Sequence, residues 1–230
     1  MASPEMAYTK LTCVHYGRGD LLGKALAHAS LLPVLLLCGQ AAKVYTRREV
    51  HEGFVLVGLL LSEAAARGLK HLLRSPRPPA SCALLGVCDA HGMPSSHTTM
   101  MFSYLMLTSA IAVGLAARQR PAARAWAALE LGGVGMATAL VAASRVYLGY
   151  HSPAQVAAGA ALGCALGGAW FLAMRSAGAA GLFAGLAGWA PAARLLLAKD
   201  TWGCPEPLLV EQGAAYSGGG GARGRPGKRE

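Results

Sequence analysis

The stretch SRVYLGYHSPAQ, Ser144–Gln155, joins two long apolar runs and carries a permanent cation (Arg145) and an imidazole (His151) six residues apart. The run before it, about Ala125–Leu148, is rich in small residues, as packed membrane helices are. The run after it, about Pro153–Met174, spaces Gly159, Gly163 and Gly167 four apart, which puts a close-packing face on one helix. Each run approaches the roughly 20 apolar residues that a bilayer-crossing helix needs. The stretch therefore reads as a polar connection between two membrane helices, and the chain as a helical bundle in a membrane.

Two further polar clusters lie outward from it. HGMPSSH (His91–His97) precedes an apolar run from about Thr98 to Ala117, and KHLLRSPRP (Lys70–Pro78) follows the start of one that covers about Gly53–Leu73. A first run covers about Leu21–Ala42 and contains Pro33, which membrane helices tolerate. The expected fold is all-α, a polytopic membrane bundle of about five transmembrane helices, with four to six as the range. Ala179–Ala198 reads as an interfacial helix or a weak sixth span. Residues 1–20 read as a polar N-terminal segment without a cleavable signal or transit peptide, 21–211 as the transmembrane domain, and 212–230 as a Gly/Arg-rich tail without fixed structure. With five spans, the loops that carry the three polar clusters share one face. The opposite face holds Lys43, Arg47, Arg48, Arg118, Arg120 and Arg124, and the positive-inside rule makes it cytoplasmic. The polar clusters then face a lumen or the outside.

Composition agrees. Of the 230 residues 54% are apolar and only 14% charged, against about a quarter charged in a soluble domain. The net charge of +10 raises nucleic acid as a partner. Most basic residues, however, flank apolar runs or crowd the C-terminus, and no nucleic-acid motif or aromatic-interleaved basic stripe is present. Membrane lipid is the expected partner, with no nucleic acid, and protein partners leave no signature. Cys82, Cys88, His91 and His97 give C-x5-C-x2-H-x5-H, which fits no usual structural zinc spacing. A loop disulfide or two free thiols are the alternatives.

Ionisable groups inside a span face the protein interior or a cavity. Glu63, Arg67 and Lys70 share one helical face, so Lys70 reads as an anion ligand supported by Glu63, or the three as ion-paired and snorkelling side chains. Pro76, Pro78 and Pro79 end that helix and let Arg77 fold back toward Lys70. Pro94, Ser95 and Ser96 suit a helix N-terminus, where free N–H groups attract anions. Lys70, Arg77 and Arg145 offer three cations, and arginine binds two oxygens at once. With Ser95 and Ser96 they make a cradle for a phosphoryl group, whose transfer depends on positioning and electrostatic stabilisation. His151 attacks phosphorus if its ring is neutral and oriented. His97 protonates the leaving oxygen and later deprotonates water. No acid cluster suits Mg²⁺, so no metal or other cofactor is expected. In plainer terms Ser95 and Ser96 cap a helix, Gln155 makes an interhelix hydrogen bond, Tyr147 and Tyr150 sit at the interface, and the whole is a small membrane scaffold or channel.

K-x6-RP (Lys70–Pro78), PSSH (Pro94–His97) and SR-x5-H (Ser144–His151) resemble the three signatures of the type-2 phosphatidic acid phosphatase superfamily. The resemblance implies a phosphohistidine on His151, acid–base work by His97, and phosphate binding by Lys70, Arg77, Ser95, Ser96 and Arg145. Two positions depart from the common pattern. Ser96 stands where PSGH has glycine, and Gln155 stands where H-x3-D has an aspartate that orients the histidine. A glutamine carbonyl accepts the imidazole N–H but does not stabilise imidazolium by charge, so an easier leaving group such as a diphosphate suits it. PSSH with SRVYL-x-YH-x3-Q, LTCVHYGRGDLLGKALAHASLLPV and LAKDT resembles the dolichyl-diphosphate phosphatases of the endoplasmic reticulum, over about residues 9–212. This implies lumenal recycling of a lipid carrier for N-glycosylation. CALLGVCDAHGMPSSH and SRVYLGYH-x3-QV-x-AGAALG are similar to the gamma-type lipid phosphate phosphatases of plant plastids, which implies phosphatidate and an envelope membrane instead.

Overall fold

The computed structural model describes residues 6–9, 14–79, 81, 91–118, 121–189 and 199–202. Strands β1 (Met6–Thr9) and β2 (Val14–Gly17) form an antiparallel hairpin in which Tyr8 pairs with His15. The main helices among the described residues are α1 (Leu21–Ala29), α2 (Leu32–Arg47), α3 (Val50–Leu73), α4 (Ser96–Leu115), α5 (Pro121–Tyr147) and α6 (Pro153–Ala179). A short 3-10 turn, Ala116–Arg118, extends α4, and a seventh helix, α7 (Leu182–Gly188), follows α6. The architecture is the expected helical bundle, with the hairpin added at its N-terminal end.

Among the described residues three stretches are long and apolar enough to cross a membrane: Leu21–Arg47, Pro121–Tyr147 and Pro153–Ala179. Helix α3 is as long but carries Glu52, Glu63, Arg67 and Lys70, and α4 packs between α3, α5 and α6. The first span is not the continuous Leu21–Ala42 helix expected. It breaks at Ser30 and Leu31, and the break sets Pro33 in the first turn of α2, where its missing N–H costs nothing. Ser30 closes the break, its Oγ donating to the Leu26 carbonyl at 3.2 Å and lying 3.3 Å from Ser144 Oγ on α5. The charged connector expected over 43–52 is also shorter, since α2 runs on through Arg47 and α3 begins at Val50. The stretch Ala179–Ala198, expected as an interfacial helix or a weak sixth span, contains the short helix α7, while residues 190–198, the Cys82–Cys88 pair and the 212–230 tail lie outside the described residues.

The apolar core (Val55, Leu59, Met100, Tyr104, Leu107, Met174 and Phe183) lies toward the end of the bundle opposite the polar clusters. At that end charges are paired. Arg47 Nη1 meets Glu52 Oε1 at 2.9 Å, Gln40 Nε2 donates to Glu52 Oε2 at 2.7 Å, and Lys199 Nζ meets Glu49 Oε1 at 3.2 Å. Lys199 also joins the start of α3 through its backbone, its N–H donating to the Arg48 carbonyl and its carbonyl accepting from Val50.

The tightest packing is α6 on α4. A Cβ on Gly159, Gly163 or Gly167 would sit 2.7, 2.4 and 2.4 Å from the carbonyl oxygens of Ser95, Thr99 and Ser103 respectively. The two backbones are therefore in direct contact over three turns, the arrangement that small residues permit in membranes. Gly133 on α5 has open space around it. Gly163→Ala is expected to cost about 1–3 kcal/mol through forced separation of the helices, and Gly133→Ala to stay within about 0.5 kcal/mol. Thermal unfolding of the two variants in detergent checks this.

Candidate active site

Helix α3 ends at Leu73, with Arg74 in the left-handed region (φ 46°), and the Pro-rich segment turns back over the end of the bundle. The turn makes Lys70 and Arg77 neighbours of the later motifs. Lys70 Nζ donates to Ser96 Oγ at 3.0 Å. Arg77 Nη1 donates to the Tyr150 carbonyl at 2.8 Å and lies 3.4 Å from His151 Nε2. Glu63 stays outside their hydrogen bonds: it is within electrostatic reach of Lys70, but its carboxylate accepts from Arg67 Nε at 2.7 Å on the outer face of α3.

Ser95 is the N-cap of α4 and is fully buried. Its Oγ accepts from Thr98 Oγ1 at 3.0 Å, and its carbonyl accepts from Thr99 Oγ1 at 3.0 Å. Ser96 and the half-buried His97 open the helix beside it, with His97 within electrostatic reach of Arg145, Lys70 and Arg77.

Between α5 and α6 the chain makes one tight loop. Gly149 takes φ 74°, a conformation open to glycine, and Ser81 Oγ donates to its carbonyl. The His151 N–H donates back to the Arg145 carbonyl at 3.0 Å, which holds the cation and the imidazole on one side of the loop. Arg145 is 4% exposed and His151 5%. The Arg145 guanidinium carbon lies 4.6 Å from the centre of the Tyr150 ring. Among the described residues Arg145 Nε, Arg145 Nη2 and Arg77 Nε have no hydrogen-bond partner. Buried donors of that kind are rare in proteins and costly.

Gln155 ties the three motifs together. Ser152 caps α6 in a reciprocal capping box, its Oγ accepting from the Gln155 N–H at 3.3 Å and its own N–H donating to Gln155 Oε1 at 3.2 Å. Gln155 Nε2 donates to the Pro76 carbonyl at 2.7 Å, and the Gln155 carbonyl accepts from Ser95 N–H at 3.2 Å. Its Oε1 lies 3.3 Å from His151 Nδ1. These bonds select one tautomer of His151. Pro76 offers only an acceptor, so the amide nitrogen faces Pro76 and Oε1 faces the ring, where it takes an Nδ1–H. Arginine only donates, so Nε2 facing Arg77 carries the lone pair. Burial first, then Arg77, Arg145 and Lys70, push the His151 ring down to about 3. Burial likewise pulls the Arg77 guanidinium below its ordinary value.

The structure thus brings together Lys70, Arg77, Ser95, Ser96, His97, Arg145, His151 and Gln155, with Glu63 apart. Two features escaped the sequence reading. Ser152-x-x-Gln155 matches a capping box and was legible from spacing alone. Tyr150 touches both arginines, and nothing in its sequence context distinguishes it from an interfacial tyrosine. Among the described residues no group of three His, Cys, Asp or Glu side chains is placed to hold a metal ion.

The sequence profile of the PAP2 superfamily matches residues 52–179. The chain is 38% identical to the lipid phosphate phosphatase gamma of Arabidopsis thaliana over 72% of its own length and 73% of that protein. It is 35% identical to the human dolichyldiphosphatase 1 over 87% of its length and 84% of that protein. In fold it matches the crystal structure of a transmembrane PAP2-type phosphatidylglycerolphosphate phosphatase from Bacillus subtilis, with a TM-score of 0.54 at 20% identity over 68% of this chain and 78% of that one. A cradle of desolvated cations around two histidines, held in a membrane bundle, agrees with these likenesses, and the chain belongs to the PAP2 superfamily, as a membrane hydrolase of phosphate ester or anhydride bonds.

Proposed function

We propose that the protein hydrolyses dolichyl diphosphate to dolichyl phosphate and inorganic phosphate through a phosphohistidine on His151. The observation that carries this reading is the set of contacts around the His151 ring, from which its tautomer follows. Nε2 of His151 holds its lone pair beside Arg77, in a buried site whose arginines keep three donors without partners. A terminal phosphoryl group supplies the oxygens those donors lack.

In the first step His151 Nε2 bonds to the terminal phosphorus. The bond to the bridging oxygen breaks, its electron pair stays on dolichyl phosphate, and His97, protonated once the anionic diphosphate lies against it, gives that oxygen its proton. Lys70, Arg77, Arg145, Ser95 and Ser96 hold the equatorial oxygens, which carry the charge. Water then attacks phosphorus and passes a proton to His97. The N–P bond breaks, and phosphate leaves. Gln155 orients the ring but lends no charge to it, so the reaction depends on a leaving group that needs little help. A diphosphate has one, and this favours the anhydride over a monoester. The likeness to dolichyldiphosphatases over most of the chain supports the same reading. Phosphatidate hydrolysis is the second reading, favoured by the likeness to the Arabidopsis lipid phosphate phosphatase gamma. The basic connectors at the Arg48 and Arg118 end support a cytoplasmic face there, which sets the site toward the lumen of the endoplasmic reticulum, where the product re-enters use as a carrier for N-glycosylation. No metal takes part.

Purified protein is expected to release phosphate from dolichyl diphosphate faster than from phosphatidate, undiminished by excess chelator, while His151→Ala, folded, releases none. A preference for phosphatidate would replace the substrate, and activity restored only by Mg²⁺ would end the metal-free mechanism. Gln155→Glu keeps an acceptor for the ring but leaves the Pro76 carbonyl without a donor. A drop in kcat/KM of about tenfold is expected, from a buried polar group left unpaired, whereas a rise would mean that charge, not geometry, limits His151. With the ring held near 3, His151 is neutral in the ligand-free protein throughout pH 5–8. Its ring resonances, assigned by their absence in His151→Ala, are expected not to titrate in that range, while a ring at its ordinary value of about 6.5 would titrate midway.

A further inference from the structure

We infer that Tyr150 is a positioning residue for the phosphate cradle, holding both of its arginines, and that the N-terminal hairpin braces it. This rests on the phosphate-site reading above and assigns a part to a residue outside the three motif patterns.

Three contacts converge on this one side chain and its carbonyl. The ring lies 4.6 Å from the Arg145 guanidinium carbon, within the reach of a cation–π contact. The carbonyl accepts from Arg77 Nη1 at 2.8 Å. The hydroxyl accepts from the His15 N–H of β2 at 3.0 Å. Each contact does a different task. The backbone bond fixes Arg77 next to the attacking nitrogen of His151. The ring face holds the Arg145 guanidinium without consuming its hydrogen bonds, so Nε and Nη2 stay available. A carboxylate in the same place would occupy those donors and cancel the charge that a phosphoryl group needs. The aromatic face steadies a buried cation and leaves it able to bind an anion, and that combination is why an aromatic residue belongs here. The bond from β2 then sets the ring plane. It links the hairpin to a loop 135 residues later in the chain.

The neighbouring Tyr147 behaves differently. Its hydroxyl donates to Asp20 at 3.2 Å on the exposed surface, and among the described residues no cation lies over its ring. It serves as the internal control.

The test compares Tyr150→Phe, Tyr150→Leu and Tyr147→Leu in full-length protein, with phosphate release from dolichyl diphosphate and inhibition by orthovanadate, a free phosphate mimic, as readouts. Tyr150→Phe keeps the ring and loses only the brace, so a loss of about threefold is expected in kcat/KM. Tyr150→Leu removes the aromatic face. Its kcat/KM is expected to fall, and the vanadate concentration for half inhibition to rise, each by about tenfold, at a thermal midpoint matching that of Tyr150→Phe. Tyr147→Leu leaves vanadate inhibition where it is. If Tyr150→Leu binds vanadate like the wild type, or if Phe and Leu at position 150 lose equally, the positioning role is overturned while the phosphate site stands. Wild-type protein that neither releases phosphate nor responds to vanadate overturns both.

Discussion

The site depends on a backbone contact rather than on any polar bond. Along α4 and α6, the carbonyls of Ser95, Thr99 and Ser103 lie where a Cβ on Gly159, Gly163 or Gly167 would be. In lipid, helices gain nothing by hiding apolar surface from water, so they associate through close van der Waals packing and hydrogen bonds. Such packing is possible here because one face of α6 has no side chains at these turns. Its effect is felt at the helix ends. With the axes this near, the N-termini of α4 and α6 lie side by side, and Ser95 N–H reaches the Gln155 carbonyl. The first turn of α4, which carries His97, and the loop carrying His151 are then fixed against each other by rigid elements, which is what precise positioning of two catalytic groups requires.

The two ends of the bundle treat charge in opposite ways. At the far end each buried carboxylate has cationic or amide partners: Glu52 with Arg47 and Gln40, Glu49 with Lys199. At the site end Lys70, Arg77 and Arg145 crowd together, and the nearest acid on α3, Glu63, is turned away to Arg67. Desolvated like charges repel, and unpaired buried guanidinium donors are costly. The surroundings offset part of this with groups that bear no full charge: the Tyr150 carbonyl and ring, and Ser96 Oγ. The remainder is an unmet demand for an anion. Any ligand that supplies one stabilises the fold as well as filling the site.

Much of this was legible in the sequence. Long apolar runs marked the helices because a bilayer imposes their length, and the three polar clusters could be placed on one face by counting spans. Lys70 and Arg77 met as expected because prolines end α3 between them. What stayed hidden depends on tertiary contact. The β1–β2 hairpin lies in a mixed polar stretch with no two-residue turn signature. The break at Ser30 lies beside Ser144, 114 residues away, a contact that no local pattern announces. Pairing Glu63 with Lys70 was reasonable from helical spacing, since i+7 and i+4 share a face, but the shorter i+4 link to Arg67 prevailed and Lys70 found Ser96 instead. Tyr150 stands in the SRVYL-x-YH pattern, but nothing in that pattern says that its ring would meet Arg145.

Gln155 shows what the change from acid to amide does. An aspartate at that position has two acceptors and no donor. It can orient a histidine and stabilise its positive form, but it cannot also satisfy the Pro76 carbonyl. The amide can, and its donor and acceptor are each committed: Nε2 to Pro76, Oε1 to the Ser152 N–H and the His151 ring. The side chain therefore cannot flip without breaking all three bonds, so the ring it holds is fixed in tautomer as firmly as a carboxylate would fix it. Geometry has been kept and electrostatic help given up. Under that exchange, the charge that develops on the imidazole in the transition state must be offset by the phosphoryl oxygens, themselves anchored on three cations. Nucleophile and cradle then act as one unit, and the leaving group determines which phosphate bonds are within its reach.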